Sequence, residues 1–421
     1  MFANQLTSMA RSMGLSAVMR TAGVLTRLLP ISQPTLMVGP GASARLGQAI
    51  NDFCHHKVLI VTDAAITQLG LTAPLTQALS AGGTRFVVFD AITADAPVEQ
   101  IEQGVAFFNA EGCDAIVAVG GGSAMDAAKT MALAVANHKH PRELVGYFKG
   151  WRAPMPLYAV PTTAGTGSEV TVVAVVSDPA HHRKLVIADT RLVPRMAALD
   201  PNLMLGLPAD ITAATGMDAL THAIEAYIGH WGTDFTDRMA LSAVGMIYEA
   251  LPVAYVNGQD VAAREKMALA ANYAGQAFTR ANVGYVHAIA HQLGGLYHTP
   301  HGLANAIMLP HVLRFLSPAI TAKLAALARH AKVGKKNDSE AVLAQKFLDS
   351  VVAMNARLGI PATLEALREK DISALAHAAC HEADVNYPVP RYMSQADCEA
   401  VIRLVLPKGS KPKPRVRKKA A

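Results

Sequence analysis

The chain contains few cysteines: 421 residues include 4, namely Cys54, Cys113, Cys380 and Cys398. No two of them stand in C-x-x-C spacing. This pattern argues against a disulfide framework in a chain of this length, and it indicates a reducing compartment. We expect the four thiols to be buried packing residues rather than metal ligands.

Long apolar runs are also missing. No stretch reaches ~18 apolar residues without a charge or a turn signal, so the sequence predicts no membrane span. The first 33 residues lack an apolar block with a small-residue cleavage site, which argues against a secretory signal. They contain arginine and serine but no acid. This composition suits an organellar transit peptide, a partner-binding helix or a plain extension, and it leaves all three open.

Acidic residues are absent from both ends of the chain. The formal net charge is +6, but the residues after Leu406 hold seven lysines and arginines and no acid. The first 50 residues add four arginines and no acid, so the remaining body is mildly acidic. A basic nucleic-acid-binding face is therefore not a feature of the folded part, and we expect no specific nucleic acid partner. Residues 407–421 are predicted to form a disordered, solvated basic tail.

The first half of the chain alternates strand and helix patterns. Short apolar, β-branched runs at 57–63, 85–90 and 115–119 are typical of buried parallel strands. Helical segments at 97–110 and 123–136 lie between or after them. The pattern predicts a doubly wound α/β nucleotide-binding domain over residues 34–206. The runs at 157–160 and 170–176 are expected to be the last strands of the same sheet.

The pattern changes after about Leu207. Alanine-rich segments with helical spacing follow, at 208–228, 236–255, 261–278 and 319–330. Few β-branched runs interrupt them. We therefore predict an all-α C-terminal domain over residues 207–406.

Two loops of the first half are candidates for nucleotide binding. The strand at 115–119 runs into Gly120-Gly121-Gly122-Ser123, where glycine allows close approach to a phosphate and a helix N-terminus follows. Triple glycine alone also suits a tight turn with Ser123 as the N-cap. The segment 160–171 packs five hydroxyls and two glycines into one turn, which favours a ligand-binding loop over a simple linker.

Asp63 ends the first clear strand. A carboxylate there can accept hydrogen bonds from ribose hydroxyls and would repel a 2′-phosphate, which favours NAD over NADP. A plain N-cap for the helix that starts at Ala64 explains the same residue equally simply.

Histidines and one aspartate in the second half suggest a metal site. Asp218 and His222 are four residues apart in a helical segment, and His287 and His291 have the same relation in another. His301 follows in a Pro-His-Gly turn. Carboxylate and imidazole ligands suit Fe²⁺, Zn²⁺, Mn²⁺, Co²⁺ or Ni²⁺ and can leave a position open for substrate. Five candidates exceed a usual four-ligand site, so we assign His291 to proton transfer beside the metal.

The motifs at 120–129, 161–171, 216–227 and 287–302 together resemble those of the iron-containing, group III alcohol dehydrogenases. The resemblance runs from about residue 34 to 405. It implies a dehydroquinate-synthase-like fold with Fe²⁺, or Zn²⁺, on Asp218, His222, His287 and His301, and with His291 near the nicotinamide and the substrate. The cofactor-binding positions that we predict from the loops and the resemblance are Asp63, Gly121, Gly122, Ser123, Asp126, Thr162, Thr163, Thr166, Thr171, Lys184 and Leu203.

The chain departs from the family pattern at two places. The family often has an Asn-Pro pair where this chain has Asp95-Ala96-Pro97. Its late Asn-Pro-Arg segment appears here as Asn386-Tyr387-Pro388-Val389-Pro390-Arg391. We expect neither change to affect the metal site.

The resemblance implies an NAD-dependent alcohol dehydrogenase that interconverts a small alcohol or diol with its aldehyde or ketone. A hydroxyacid–oxoacid transhydrogenase that retains NAD is the main alternative. A metal-dependent cyclase or lyase of the same fold and a non-catalytic binding protein are further alternatives. We expect a cytoplasmic homodimer or higher homo-oligomer, with organellar or microcompartment targeting by the N-terminal extension left open.

Overall fold

The computed structural model describes residues 28–181 and 183–407, together with residues 14, 15, 19, 21, 23 and 24. The predicted basic tail beyond residue 407 lies outside the described residues, and so does most of the N-terminal extension.

A parallel six-stranded sheet forms the centre of the first half, with strand order β1-β9-β6-β4-β2-β3. A second sheet, β5-β8-β7, has three strands. The described strands are β1 (Thr35–Val38), β2 (Lys57–Val61), β3 (Arg85–Phe89), β4 (Ala115–Gly120), β5 (Gly146–Tyr147), β6 (Leu157–Pro161), β7 (Val173–Asp178), β8 (Arg183–Ala188) and β9 (Met196–Leu199).

Helices cover both faces of the large sheet. They are α1 (Ala42–Asn51), α2 (Ala64–Gln68), α3 (Ala73–Ala81), α4 (Val98–Ala110) and α5 (Gly122–Asn137). Alternate residues of β2 enter opposite cores: Val58 packs on the side of α1 and α3, whereas Leu59 packs on the side of α4 and α5. Burial on both faces explains the continuous apolar runs, and it confirms the predicted doubly wound α/β architecture.

The prediction for the last strands of the sheet was partly wrong. β6 lies in the middle of the large sheet, and β9 and β1 complete that side. The predicted strand at 170–176 corresponds to β7, which pairs antiparallel with β8 in the second sheet. The antiparallel direction follows from the short connection after Asp178, because a parallel partner requires a crossover of a dozen or more residues.

The regular secondary structure of the described residues 207–407 is entirely helical, as predicted. Its helices are α6 (Ala209–Ile228), α7 (Asp234–Val256), α8 (Val261–Ala281), α9 (Tyr285–Tyr297), α10 (His301–His330), α11 (Glu340–Arg357), α12 (Ile372–Asn386) and α13 (Gln395–Arg403). The predicted helix at 319–330 is only the second part of α10. This helix contains Pro310 and Pro318 and has a non-helical residue at Ile320, and such interruptions obscure helical periodicity in a sequence.

Two of the described helices, α7 and α10, are long and apolar enough to cross a membrane by length and composition. Both contribute to the buried core of the helical half, for example through Val244 and Ile247 of α7 and Leu309 and Leu313 of α10. Core helices of this kind pass such a test without spanning a membrane.

Asp200, directly after β9, joins the two ends of the α/β half. Its carboxylate accepts hydrogen bonds from the backbone N–H groups of Gly41 (3.2 Å), Ser43 (3.1 Å) and Asn202 (3.2 Å). The Ser43 hydroxyl donates a further bond of 2.6 Å. Asp200 is 1% exposed. Through these hydrogen bonds its carboxylate caps the N-terminus of α1, although Asp200 lies more than 150 residues further along the chain.

Replacing Asp200 with alanine should lower the free energy of unfolding by about 2–3 kcal/mol, because buried N–H groups at the start of α1 lose their acceptor. Asp349→Ala, on the exposed face of α11, is the matched control and should change stability by less than ~0.5 kcal/mol. Chemical denaturation measures both variants. Equal stability of the two would contradict this role of Asp200.

Candidate active site and metal centre

Three helices bring the four predicted metal ligands together. α6 contributes Asp218 and His222, α9 contributes His287, and α10 begins with His301. One possible ligand atom from each side chain lies within 4.8 Å of all the others. Asp218, His222 and His287 are buried, and His301 is partly exposed. The arrangement forms a cluster that is enclosed on the helical side and accessible beside His301.

The donor atoms of the cluster fit a divalent cation. The His222 Nδ1 atom is buried and has no hydrogen-bond partner in the described structure, and it lies 3.9 Å from Asp218 Oδ2. Burial lowers the pKa of His222 and lowers that of His287 far below its usual value. Burial likewise lowers the pKa of His301 to about 4. The three rings are therefore neutral near pH 7, which is the form that binds a metal.

Asn305 is a further residue of this cluster, which the sequence analysis missed. Its Nδ2 atom lies 2.7 Å from Asp218 Oδ1 and 3.2 Å from Nε2 of both His287 and His301. Asn305 follows His301 by one helical turn, so the same four-residue spacing that revealed the other pairs could have indicated it.

Glu225 is a second residue that the sequence analysis missed. Its Oε2 atom accepts hydrogen bonds from His287 Nδ1 (2.6 Å) and from the backbone of Gly284 (2.9 Å), and Oε1 accepts one from the Val286 backbone (2.7 Å). Burial raises the pKa of Glu225 to about 7, although these hydrogen bonds oppose the shift. A carboxylate behind a histidine ligand orients the ring and increases its basicity.

His291 lies next to the cluster but outside it. Its ring centroid is 5.4 Å from that of His301 and 6.0 Å from that of His287. Its Nδ1 atom is 2.6 Å from Glu382 Oε1. Burial lowers the pKa of His291, but the charge and hydrogen bond of Glu382 outweigh burial, so the net shift is upward. This environment suits a proton-handling group rather than a ligand.

The two predicted nucleotide loops meet at the carboxyl ends of the adjacent strands β4 and β6. Gly120 has φ +155°, and a Cβ atom at Gly122 would lie 2.8 Å from the Thr166 side chain. A Cβ atom at Gly121 would lie 3.5 Å from Thr163 Oγ1. The glycines thus allow the two loops to pack closely, in the crevice where open α/β sheets bind nucleotides.

Some predicted cofactor residues lie behind these loops. Asp126 is partly buried, and its carboxylate accepts hydrogen bonds from Ser168 Oγ (2.6 Å) and the Val175 backbone (2.9 Å). The Thr171 hydroxyl accepts a bond of 2.8 Å from Lys129 Nζ. These contacts hold the second loop on α5, which argues for a supporting role of Asp126 and Thr171 rather than direct contact with a cofactor.

Lys129 is a buried residue that the sequence analysis did not assign. Besides Thr171 Oγ1, its ammonium donates to the backbone carbonyls of Thr171 and Val173 at 2.9 Å each. Burial lowers its pKa to about 8. Lys129 therefore ties α5 to the chain that leaves the second loop.

The remaining predicted cofactor residues have separate surroundings. Asp63 is the N-cap of α2 and accepts from the Ile66 backbone at 3.0 Å, while Ser123 Oγ accepts from the Asp95 backbone at 3.0 Å. Lys184 forms an ion pair with Asp95.

Thr162 and Leu203 are both buried. The Thr162 backbone donates to the Gly120 carbonyl at 3.0 Å, which joins the two loops directly. Leu203 packs in the core between the large sheet and α1.

Comparison with known proteins identifies the family. One family model, Fe-containing alcohol dehydrogenase family, C-terminal, matches residues 212–406, and a second, iron-containing alcohol dehydrogenase, matches residues 34–201. The chain belongs to the iron-containing alcohol dehydrogenase family. The resemblance inferred from the sequence motifs is therefore confirmed.

Relatives of this iron-containing alcohol dehydrogenase family member are oxidoreductases. The NAD-dependent methanol dehydrogenase of Bacillus methanolicus is 36% identical over 375 residues, which cover 89% of this chain and 98% of that protein. Lactaldehyde reductase of Escherichia coli (strain K12) is 36% identical over 353 residues, covering 83% and 92% of the two chains. The crystal structure of 1,3-propanediol oxidoreductase superposes with a TM-score of 0.85 at 35% identity, covering 90% of this chain and 100% of that one.

Gly302 sets the distance between two of the cluster's helices. A Cβ atom there would lie 2.3 Å from the Ala214 carbonyl oxygen of α6 and 3.3 Å from Asp218 Cβ. Gly302→Ala should therefore push α10 away from α6, lower the free energy of unfolding by about 1–3 kcal/mol and weaken metal binding. Thermal unfolding and metal analysis after dialysis measure these effects.

Gly295, near the end of α9, is the matched control, because a Cβ atom there meets nothing within 4 Å. Gly295→Ala should retain the metal and gain up to about 1 kcal/mol from helix propensity. Equal metal content in both variants would show that Gly302 does not determine the geometry of the cluster.

Proposed function

We propose that this protein is a metal-dependent, NAD-linked alcohol dehydrogenase that interconverts a small alcohol or diol with its aldehyde or ketone. The observation that carries the proposal is the buried cluster of one carboxylate and three neutral imidazoles with His291 beside it. The NAD-dependent methanol dehydrogenase and the other oxidoreductases among its relatives support the same reaction class.

Residues 34–206 are proposed as the NAD-binding domain and residues 207–406 as the metal and catalytic domain. Asp218, His222, His287 and His301 would hold the metal, for which we propose Fe²⁺, with Zn²⁺ as the alternative. Gly121, Gly122, Ser123, Thr162, Thr163 and Thr166 would contact NAD. Asp63 would face the adenosine ribose and disfavour NADP, because its carboxylate repels a 2′-phosphate.

When bound, the metal supplies Lewis acidity toward the alcohol oxygen, and NAD supplies the hydride acceptor. The chain's own residues orient and enclose these groups. Glu225 holds the His287 ring in one orientation, and the buried surroundings of Asp218 and His222 exclude water. His291 would receive the proton that leaves the alcohol, and its position beside the partly exposed His301 supports this role.

Lys184, in the proposed NAD-binding domain, acts electrostatically on histidines of the proposed metal domain. It lies on β8, and its positive charge acts to lower the pKa values of His291 and His301, so the ammonium is within electrostatic reach of the cluster. We propose that Lys184 turns from Asp95 to the cofactor when NAD binds. We also propose that the protein is cytoplasmic and that it forms a homodimer or a higher homo-oligomer.

The test is an anaerobic assay of NAD reduction with a panel of alcohols and diols, on protein whose metal content has been measured. We expect turnover with at least one small alcohol when Fe²⁺ is present, and loss of turnover after chelation. Turnover of a hydroxyacid–oxoacid pair without added NAD would instead support the transhydrogenase. Activity that survives complete removal of the metal would contradict the proposal.

His287→Ala should abolish metal retention and lower activity by more than ~100-fold, because loss of an outer partner of a ligand alone costs about 10–100-fold. The helical content measured by circular dichroism should stay close to that of the wild type. His377→Ala, on the exposed face of α12, is the matched control and should keep its metal and its activity. A metal-free but active His287→Ala variant would overturn the ligand assignment.

A further inference from the structure

Glu382 of α12 faces His291 of α9 across the boundary of the active site. The His291 Nδ1 and Glu382 Oε1 atoms are 2.6 Å apart. An ionised carboxylate only accepts hydrogen bonds, so Nδ1 must carry the hydrogen in this pair. In the neutral form of the ring, the other nitrogen, Nε2, then keeps its lone pair free and points away from Glu382. One contact thus selects both the tautomer and the orientation of the ring.

The carboxylate of Glu382 is itself held at both oxygens. The Tyr387 hydroxyl donates to Oε1 at 2.6 Å, and Gln292 Nε2 donates to Oε2 at 2.8 Å. Tyr387 is 8% exposed, and Gln292 directly follows His291 on α9. Because three donors from three positions converge on one carboxylate, it cannot rotate without losing a hydrogen bond in a partly buried environment.

Tyr387 occupies the segment 386–391, one of the two places where the chain departs from the family pattern. The backbone on both sides of this tyrosine is anchored to the helical half. Asn282 Nδ2 donates to the Asn386 carbonyl at 3.0 Å, and the His230 backbone donates to the Pro388 carbonyl at 2.8 Å. The hydroxyl of Tyr387 therefore has a fixed position from which it can hold Glu382.

We propose that Glu382, held by Tyr387 and Gln292, is a positioning residue that keeps the hydrogen of His291 on Nδ1 and turns Nε2 toward the reacting alcohol. Glu382 is separated from the metal cluster by His291 and acts through it. The kinetic part of this inference rests on the proposed dehydrogenase function, whereas the tautomer of His291 does not depend on it. A purely structural role would be to hold α12 against α9.

The test compares Glu382→Leu, Glu382→Gln and Tyr387→Phe in the metal-loaded enzyme. Leucine removes every acceptor, and kcat should fall about 10–100-fold with unchanged metal content and unchanged KM for NAD. Glutamine still offers one oxygen to His291 Nδ1, so it should restore most of kcat. Phenylalanine removes only the Tyr387 hydroxyl and should have a smaller effect than leucine at Glu382.

Two matched variants control for loss of a carboxylate or a hydroxyl in general. Glu249→Gln removes one side of an exposed ion pair with Lys266. Tyr248→Phe removes a hydrogen bond of 2.8 Å to Ser350, between α7 and α11. Both should leave kcat and metal content unchanged.

A second readout does not require turnover. Long-range ¹⁵N–¹H correlation spectra of the zinc-loaded protein report which nitrogen of His291 carries hydrogen. The wild type and Glu382→Gln should show the Nδ1–H tautomer, and Glu382→Leu should show the Nε2–H tautomer or a mixture. If the wild type reduced no NAD with any alcohol, the proposed function would fail, and these spectra would still decide the role of Glu382.

Three results would overturn the inference. One is a Glu382→Leu enzyme with the kcat of the wild type. Another is an Nδ1–H tautomer that persists without Glu382. The third is a fall of kcat in all three variants in proportion to lost metal or lowered melting temperature, since that pattern indicates a structural contact only.

Discussion

The site depends on the burial of the Asp218 carboxylate at the point where α6, α9 and α10 meet. Removing a carboxylate from water costs several kcal/mol unless opposite charge or strong hydrogen bonds compensate it. Around Asp218 the described structure places three imidazoles, which burial keeps neutral, and the amide of Asn305. One divalent cation would satisfy the carboxylate and one nitrogen of each of the three rings together. The need to compensate the buried carboxylate accounts for the convergence of α6, α9 and α10 at Asp218.

The residues that hydrogen-bond to the histidines of the cluster can be understood from the same need to compensate buried polar groups. A histidine ligand must keep one nitrogen free, so its other nitrogen needs a partner, and Glu225 provides it for His287. His291, which lies beside the cluster, has the same kind of carboxylate partner: its Nδ1 atom is 2.6 Å from Glu382 Oε1. Two carboxylates on different helices, Glu225 and Glu382, thus hydrogen-bond to two histidines that lie one turn apart on α9. The close approach of α10 to α6 at Gly302 completes this geometry.

The nucleotide half was largely predictable because its signals are local. Buried parallel strands read as short apolar runs, and the glycine loop follows directly from β4. The place of each strand in the sheet was less predictable. β7 was assigned to the large sheet because its composition resembles that of the other strands, but it pairs antiparallel with β8 across a short connection in the second sheet. The roles of Asp126 and Thr171 also required the structure, since a motif does not reveal whether a side chain faces a ligand or a neighbouring loop.

The sequence by itself determined the fold class through its strand and helix patterns and the family through its motifs. It also indicated the residues of the candidate metal cluster, because helical spacing places Asp218 with His222 on a common face and His287 and His301 follow in the next motif. It could not show that Glu225 and Glu382 hydrogen-bond to His287 and His291, or that Tyr387 donates to Glu382. Glu225 and His287 are 62 residues apart and His291 and Glu382 are 91 residues apart, and such contacts arise only when packed helices bring distant turns together. The tertiary structure alone decided how each ring is oriented, since a hydrogen bond depends on distance and direction, which spacing in a sequence does not encode.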